Sequence, residues 1–386
     1  MRLLHTGDWH VGKTIRGRSR ADEFEAVVGE VVDIAKSEDV DAVLLAGDVN
    51  DQRAVASEAD AIVFDALLEL HAANIPVVVI PGNHDSAARL EVLAKLLTRI
   101  GVTVVPRVRR PDAGGVVEVP ARDASHGALV CCIPFVAERR FSDASALFED
   151  PAVLVGDYDE KMGALLTAMS GAFRADRVNV ILGHLFVDGA LIGGGEREVT
   201  IGPNYAVSPA RIPSDASYVA LGHIHRPQQM RGCPAPTYYC GSLLQLDFGE
   251  RDQDKAVYIV DVMPTKPAKV TQIKLSSGRK LVDLPEGTVD ELPGLAEGLE
   301  NAYLRVRVKT DGPVPGIADR VRELLPNALD VHLSYERQDA DDGRPSVRSL
   351  EPRAQFLSYY EAVHEASPPD ELMVAFDRVY EEAHSS

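Results

Sequence analysis

Tryptophan occurs once in the 386 residues and cysteine four times. Cys131 and Cys132 are adjacent, and neither they nor Cys233 and Cys240 form a Cys-x-x-Cys pair. That spacing excludes a zinc ribbon, and adjacent cysteines do not bridge each other in ordinary disulfide geometry. All four read as buried thiols. No apolar run approaches the ~18 residues of a membrane span, and the start MRLLHTGDWH has charged and turn residues where a secretory signal needs an apolar core. A soluble, cytoplasmic protein is expected. Positive charge is short as well, with 40 Lys+Arg against 59 Asp+Glu and a formal net charge of −19. A nucleic-acid substrate would therefore need a local basic patch or bound cations.

What is present is a globular composition, 45% hydrophobic and 26% charged, with length for two or three domains. From Leu3 to Val105, short apolar runs alternate with helical patterns over 21–37, 57–74 and 89–100, which predicts an α/β layered core. Further strands are expected at 116–119, 128–133, 178–182, 218–221, 237–240 and 256–262, with a helix over 157–173. One large domain then ends near Pro264. After a Pro264 to Pro267 linker, strands at 269–275, 303–309 and 329–335 with a helix over 317–324 predict a small α+β domain spanning 268–337. Two amphipathic helical patterns follow in 352–386, separated by Ser367-Pro368-Pro369-Asp370, with Asp370 placed to cap the second. Phe356, Tyr359, Tyr360 and Val363 mark the first, and Leu372, Met373, Phe376, Val379 and Tyr380 the second. These faces either pack on the rest of the chain or dock a partner. Seven acidic and two basic residues between Pro352 and Ser386 favour a protein over DNA as that partner.

Five predicted strands end in short polar clusters: Gly7-Asp8-Trp9-His10, Gly47-Asp48-Val49-Asn50-Asp51, Gly82-Asn83-His84-Asp85, Gly183-His184 and Gly222-His223-Ile224-His225. In an open α/β sheet such ends converge on one crevice, so the clusters can meet. Five of the eleven histidines lie in them; His5, His71, His126, His332, His364 and His384 have no such company and read as structural or surface residues. Asp8/His10 and His223/His225, two apart, point to one side of an extended segment. Imidazole, carboxylate and carboxamide donors without thiolate suit Mn²⁺, Fe²⁺ or Zn²⁺ better than a calcium cage.

The ordered set GDWH, GDVND, GNHD, GH and GHIH resembles the calcineurin-like metallophosphoesterase superfamily, and within it the nuclease subunits of bacterial SbcCD complexes. The resemblance implies a core of β-sheets flanked by helices, with the small domain as a cap. It implies one metal held by Asp8, His10, Asp48 and His225, and a second by Asp48, Asn83, His184 and His223, with Mn²⁺ as the cofactor. Two such ions, about 4 Å apart, orient a phosphodiester and activate water for in-line attack. By the same resemblance His84 donates a hydrogen bond or proton to the phosphate or leaving oxygen, with Asp85 holding its ring. Protein serine/threonine phosphatases of the superfamily carry Asp-Arg-Gly and Asn-His-Glu, where this chain has Asn50-Asp51-Gln52 and Asp85. The implied activity is double-strand exonuclease and single-strand or hairpin endonuclease action in DNA repair and recombination. The implied partners are DNA, a coiled-coil SbcC-type ATPase docked on the terminal helices, and a second copy of the chain.

Other readings compete with this one. Gly7 to Thr14 also satisfies the Walker A pattern G-x-x-x-x-G-K-[ST], although Trp9, His10 and Val11 fill it poorly and Ile15-Arg16-Gly17 is a weak first helical turn. A small-molecule phosphodiesterase or phosphatase could share every ligand, and a non-enzymatic scaffold would need none of them. Lys13, Arg16, Arg18 and Arg20 beside the first cluster read either as contacts to DNA phosphates or as a solvated loop. Arg107, Arg109 and Arg110, and Arg139 with Arg140, are weaker candidates of that kind.

Overall fold

The computed structural model describes residues 1–123, 126–138, 141, 156–196, 201, 203–335, 352–364, 366–369 and 371–377. The chain begins β1 (Arg2–Thr6), α1 (Ala21–Ser37), β2 (Ala42–Ala46), α2 (Ser57–Ala72), β3 (Val77–Ile80), α3 (Ala87–Leu97) and β4 (Val102–Val104). It continues through β5 (Val116–Val119), β6 (Ala128–Ile133), α4 (Tyr158–Ser170), β7 (Val178–His184), β8 (Phe186–Val187), β9 (Ala206–Val207) and β10 (Tyr218–Gly222). Then come β11 (Gln228–Gln229), β12 (Thr237–Tyr239), β13 (Ala256–Asp261), β14 (Lys269–Lys274), β15 (Leu281–Asp283), α5 (Leu292–Leu295), β16 (Tyr303–Lys309), α6 (Ile317–Leu324) and β17 (Ala328–Ser334).

Two six-stranded sheets, ordered β14-β13-β1-β2-β3-β4 and β11-β12-β10-β7-β6-β5, pack face to face. Their inner strands, such as β2, β3 and β6, are apolar on both faces, as sheets covered on two sides require. In β2 the period of two sends Leu44 and Ala46 to the layer between the sheets, and Val43 and Leu45 to the layer under α1, α2 and α3. Helix α4 covers the outer face of the second sheet through Met162, Leu165, Leu166 and Met169. The expected layered core is therefore two sheets between two helical layers.

Strand β14 differs from expectation. Instead of opening the small domain it pairs antiparallel with β13 along its whole length, from Ala256↔Lys274 to Asp261↔Lys269, as an edge of the first sheet. The Pro264 to Pro267 segment is a hairpin connection, with Thr265 at φ 59°. The edge position explains the difference, because a strand with one sheet neighbour and an open side carries the polar pattern KVTQIK. The small sheet is β15-β16-β17, all parallel, with α5 and α6 covering Leu304, Val306 and Val308. It is seated on the core by Ile15, Phe248, Leu281 and Tyr303, and by the Tyr303 hydroxyl donating to Glu23 at 2.7 Å. Residues Met1–Thr310 and Val314–Ser334 form one compact unit, and Asp311–Pro313 with Tyr335–Ser386 a second. In the second, α7 (Pro352–His364) and a helical stretch over 371–377 meet where Phe356 stacks on Phe376 at 4.6 Å and Arg353 pairs with Asp377 at 3.0 Å. No described helix is long and apolar enough to cross a membrane.

Candidate metal centre

The carboxyl ends of β1, β2, β3, β7 and β10 lie at one edge of the two sheets, and each delivers one of the polar clusters. Asp8, His10, Asp48, Asn83, His84, His184, His223 and His225 are all buried there. Four of them have left-handed backbones, Asp8 at φ 47°, His10 at 49°, Asp48 at 47° and His223 at 101°. Such conformations cost about 1–3 kcal/mol each and persist where surrounding structure imposes them. Gly82 is one reason that the loops close so tightly: a Cβ at this position would overlap the Asp48 carboxylate.

Hydrogen bonding fixes which ring atoms face the centre. His184 Nδ1 donates to the Ala46 carbonyl at 2.8 Å, so in a neutral ring Nε2 carries the lone pair. That lone pair faces Asn83 Oδ1 at 3.1 Å and Asp48 Oδ2 at 3.4 Å. His225 Nδ1 donates to Glu250 at 3.0 Å, and its Nε2 faces His10 Nε2 at 3.1 Å. Asn83 Oδ1 also lies 2.9 Å from His223 Nδ1. Imidazole nitrogens and side-chain oxygens thus converge within hydrogen-bond distance, so that either ring protons or cations must sit among them. The ligating atoms group as Asp8, His10 and His225, and as Asp48, His184 and His223, with His10, Asp48 and His84 as a third overlapping set. The donor chemistry fits two divalent cations.

Electrostatics express the same demand. Burial pushes Asp8 up to about 6 despite nearby imidazoles, with Asp48 adding repulsion. Burial alone would raise Asp48 too, yet His184, His10 and His84 hold it well below the usual carboxylate range. Burial opposes a charged His184, but Asp48 and Asp8 outweigh it and bring the ring to about 9. His10 is lowered to about 4 by burial.

The sequence pattern of calcineurin-like phosphoesterases matches residues 1–227, and that of the type 5 capsule protein repressor C-terminal domain matches 277–364. The SbcD component of nuclease SbcCD from Bacillus subtilis (strain 168) is 33% identical over 97% of this chain and 96% of its own length. The chain belongs to the SbcD family of calcineurin-like phosphoesterases. The SbcD of Rhodobacter capsulatus is 31% identical over 86% of this chain and 84% of that protein. That of Escherichia coli K12 is 33% identical over 67% and 64%. Strand β14 precedes the second matched region, in keeping with its place in the core sheet.

Around this family's centre lie residues that no motif signalled. Glu250, fully buried, accepts from His225 and pairs with Lys255 Nζ at 2.7 Å, and Lys255 also donates to Ser242 Oγ and the His225 carbonyl. Burial disfavours the Glu250 anion, but Lys255 and His225 hold it far below the ordinary range. Glu196 accepts from the amides of Gly193, Gly194, Gly195 and His225. Each acid is distant in sequence from the histidine it supports, so only the fold reveals it. The role expected for Asp85 is corrected: its oxygens accept from the amides of Val49, Asn50 and Gly82, and His84 Nδ1 instead donates to the Asp51 carbonyl at 2.7 Å. Asp85 ties two ligand-bearing loops together.

The basic run divides in the same way. Arg20 is corrected as a phosphate contact, because it is 2% exposed and engaged by Glu23 at 2.8 Å and the Gln245 carbonyl at 2.6 Å. Lys13 lies 3.2 Å from Asp51 beside the centre. Arg16 and Arg18 reach the small domain, at Asp330 and the Pro326 carbonyl. Helix α1 starts at Ala21, well past Lys13, so the Walker A match is a coincidence of spacing. Arg107 and Arg109 share Glu91, and Arg110 pairs with Asp112, while Arg139 and Arg140 lie outside the described residues. Cys233 is only partly buried, unlike the other three thiols. In the tail Tyr359, Val363 and Leu372 are exposed, Tyr360 and Met373 half-buried, and Asp370, Val379 and Tyr380 outside the described residues.

Proposed function

We propose that this chain is a two-metal DNA nuclease that hydrolyses phosphodiesters as an exonuclease on duplex ends and an endonuclease on single strands and hairpins. The observation that supports it most is the convergence of buried imidazole, carboxylate and carboxamide ligands, with His184 Nε2 3.1 Å from Asn83 Oδ1 and 3.4 Å from Asp48 Oδ2. Asp8, His10, Asp48 and His225 would hold one ion and Asp48, Asn83, His184 and His223 the other, with Mn²⁺ the expected metal. Bound there, the ions supply an activated water and offset charge that develops on the phosphate. The chain's own part is to aim these ligands through fixed tautomers, to keep bulk water out by burial, and to hold His84 by the Asp51 carbonyl. From that position His84 donates a hydrogen bond or proton to the phosphate or leaving oxygen.

The same reading assigns the core through β14 to catalysis, the β15–β17 domain to presenting DNA, and residues 352–386 to docking an SbcC-type coiled-coil ATPase. It places the enzyme in the cytoplasm, on the nucleoid. A homodimer is supported by α3, which leaves Val92 and Leu96, one turn apart, 68% and 64% exposed. The deciding experiment is cleavage of end-labelled linear, hairpin and single-stranded DNA in Mn²⁺ by wild type and Asp48→Ala, with a small chromogenic diester alongside. DNA cutting that vanishes in the variant supports the nuclease. Diester hydrolysis without DNA cutting, with the ATPase added, refutes it. Binding of the ATPase by a chain lacking 352–386 would refute the docking assignment.

A further inference from the structure

Beside the metal centre lies a cavity of about 230 Å³ that takes no part in the hydrolysis itself. Gly82 and Asn83 are among its lining residues, so it adjoins one proposed ligand of the second ion. Its walls are mixed, with Pro106, Val108, Phe135 and Val136 facing the polar Asn83, Asp85 and Ser86. Its rim carries two cations, Arg53 and Arg107. Arg53 forms no ion pair with another described residue, and Arg107 meets Glu91 at 3.4 Å with both side chains 46% exposed, a pairing that solvent weakens. Asp85 also lines the cavity, but its charge is directed into three backbone amides. The Phe135 ring joins the two sites, 5.9 Å from the ring of His223 and 6.3 Å from that of His184, and it stacks on Tyr205 at 6.0 Å, so a base can meet only the part of the ring that lines the cavity.

We propose that this cavity receives the unpaired base of the nucleotide adjoining the scissile phosphate, stacked against Phe135, with Arg53 and Arg107 on the flanking backbone. The inference rests on the nuclease reading and names the part of DNA that the site grips. Three features select a base. The cavity is smaller than the about 300–1,000 Å³ of pockets for drug-sized ligands, which suits one flat heterocycle and rejects a base pair. Its wall offers an aromatic ring, and bases stack on such rings with little regard to sequence. Its rim is positive in a chain of net charge −19, so phosphates are attracted locally where the overall field repels them. The ligands are buried, and a duplex must open at its end to bring a backbone phosphate down to them. Capture of the freed base holds that opened state, as enzymes that extrude a base do in their own pockets.

The test uses the full chain in Mn²⁺ and linear DNA in which an abasic nucleotide is walked across the cleavage position. Wild type is expected to lose about tenfold or more in kcat/KM when the abasic nucleotide adjoins the scissile phosphate, the scale of one lost stacking contact, and little when it lies further away. Ala88 and Val108 line the cavity and ligate nothing. Ala88→Trp and Val108→Phe, which fill it, should each cut intact DNA about tenfold more slowly by the same scale and become indifferent to the abasic substitution. Both should hydrolyse a small chromogenic diester like wild type. Equal cutting of intact and abasic DNA by wild type overturns the base pocket while leaving the nuclease standing, as do filled variants that keep wild-type rate and discrimination. Diester hydrolysis by wild type with no cutting of any DNA overturns the nuclease reading, and the pocket with it.

Discussion

Replacing Glu250 by Gln probes the centre from behind. The carboxylate fixes His225 with its proton on Nδ1 at 3.0 Å and neutralises Lys255, which is 6% exposed, at 2.7 Å. Two effects of different size follow. Losing the carboxylate behind a ligating histidine weakens metal binding by about 10–100-fold, or about 1.4–2.7 kcal/mol. Leaving a buried ammonium without its counter-ion costs about 3–5 kcal/mol of folding stability. Isothermal titration with Mn²⁺ reads the first and thermal melting the second. They separate in Glu250→Gln/Lys255→Met, which removes the stranded cation: stability should largely return and Mn²⁺ affinity should stay low. A double variant with wild-type affinity, or a single variant that melts early yet binds Mn²⁺ normally, would show that the pair serves only packing and refute the reasoning.

Gly82→Ala should abolish Mn²⁺ binding by calorimetry while leaving a folded far-UV spectrum, since the new methyl would displace the Asp48 carboxylate. Arg20→Ala should lower stability by about 3–5 kcal/mol, the cost of breaking a buried pair, and leave the salt dependence of DNA binding unchanged. Lys13→Ala should reduce the slope of log affinity against log salt by about 0.9 if it touches a phosphate, with melting unaltered. Arg16→Ala removes a half-exposed pair with Asp330 and should change stability by about 1 kcal/mol or less.

The clusters at the strand ends were legible because glycine next to Asp, Asn or His is a local signature, and parallel strands must bring such ends together. Helix α1 was legible residue for residue from its apolar period. Support for the ligands was not. Glu250 ends a short 3-10 turn, Phe248–Glu250, and Glu196 lies in a loop, neither with a repeating pattern, and their partners are selected by the fold. Arg20 was misread because a run of like charges in sequence says nothing of direction: Lys13, Arg16 and Arg18 lie toward solvent or the small domain, whereas Arg20 turns under the start of α1 to meet Glu23 and Gln245. Strand β14 was misplaced because prolines at a hairpin look like prolines in a linker, and an edge strand is too polar to announce its sheet.

Strand β1 sits between β2 and β13, and the Met1 amino group donates to Val262, 261 positions away. On the ribosome, at about 5–20 residues per second, β1 waits on the order of 10–50 s for this outer neighbour. Leu3 and Leu4, wholly buried at the end, are without that cover throughout the wait. Asp8 meets the His223 amide only after 215 further residues have been added. The cutting centre is therefore among the last parts of the core to exist, and a nascent or prematurely terminated chain has an open sheet edge prone to aggregation, not a nuclease.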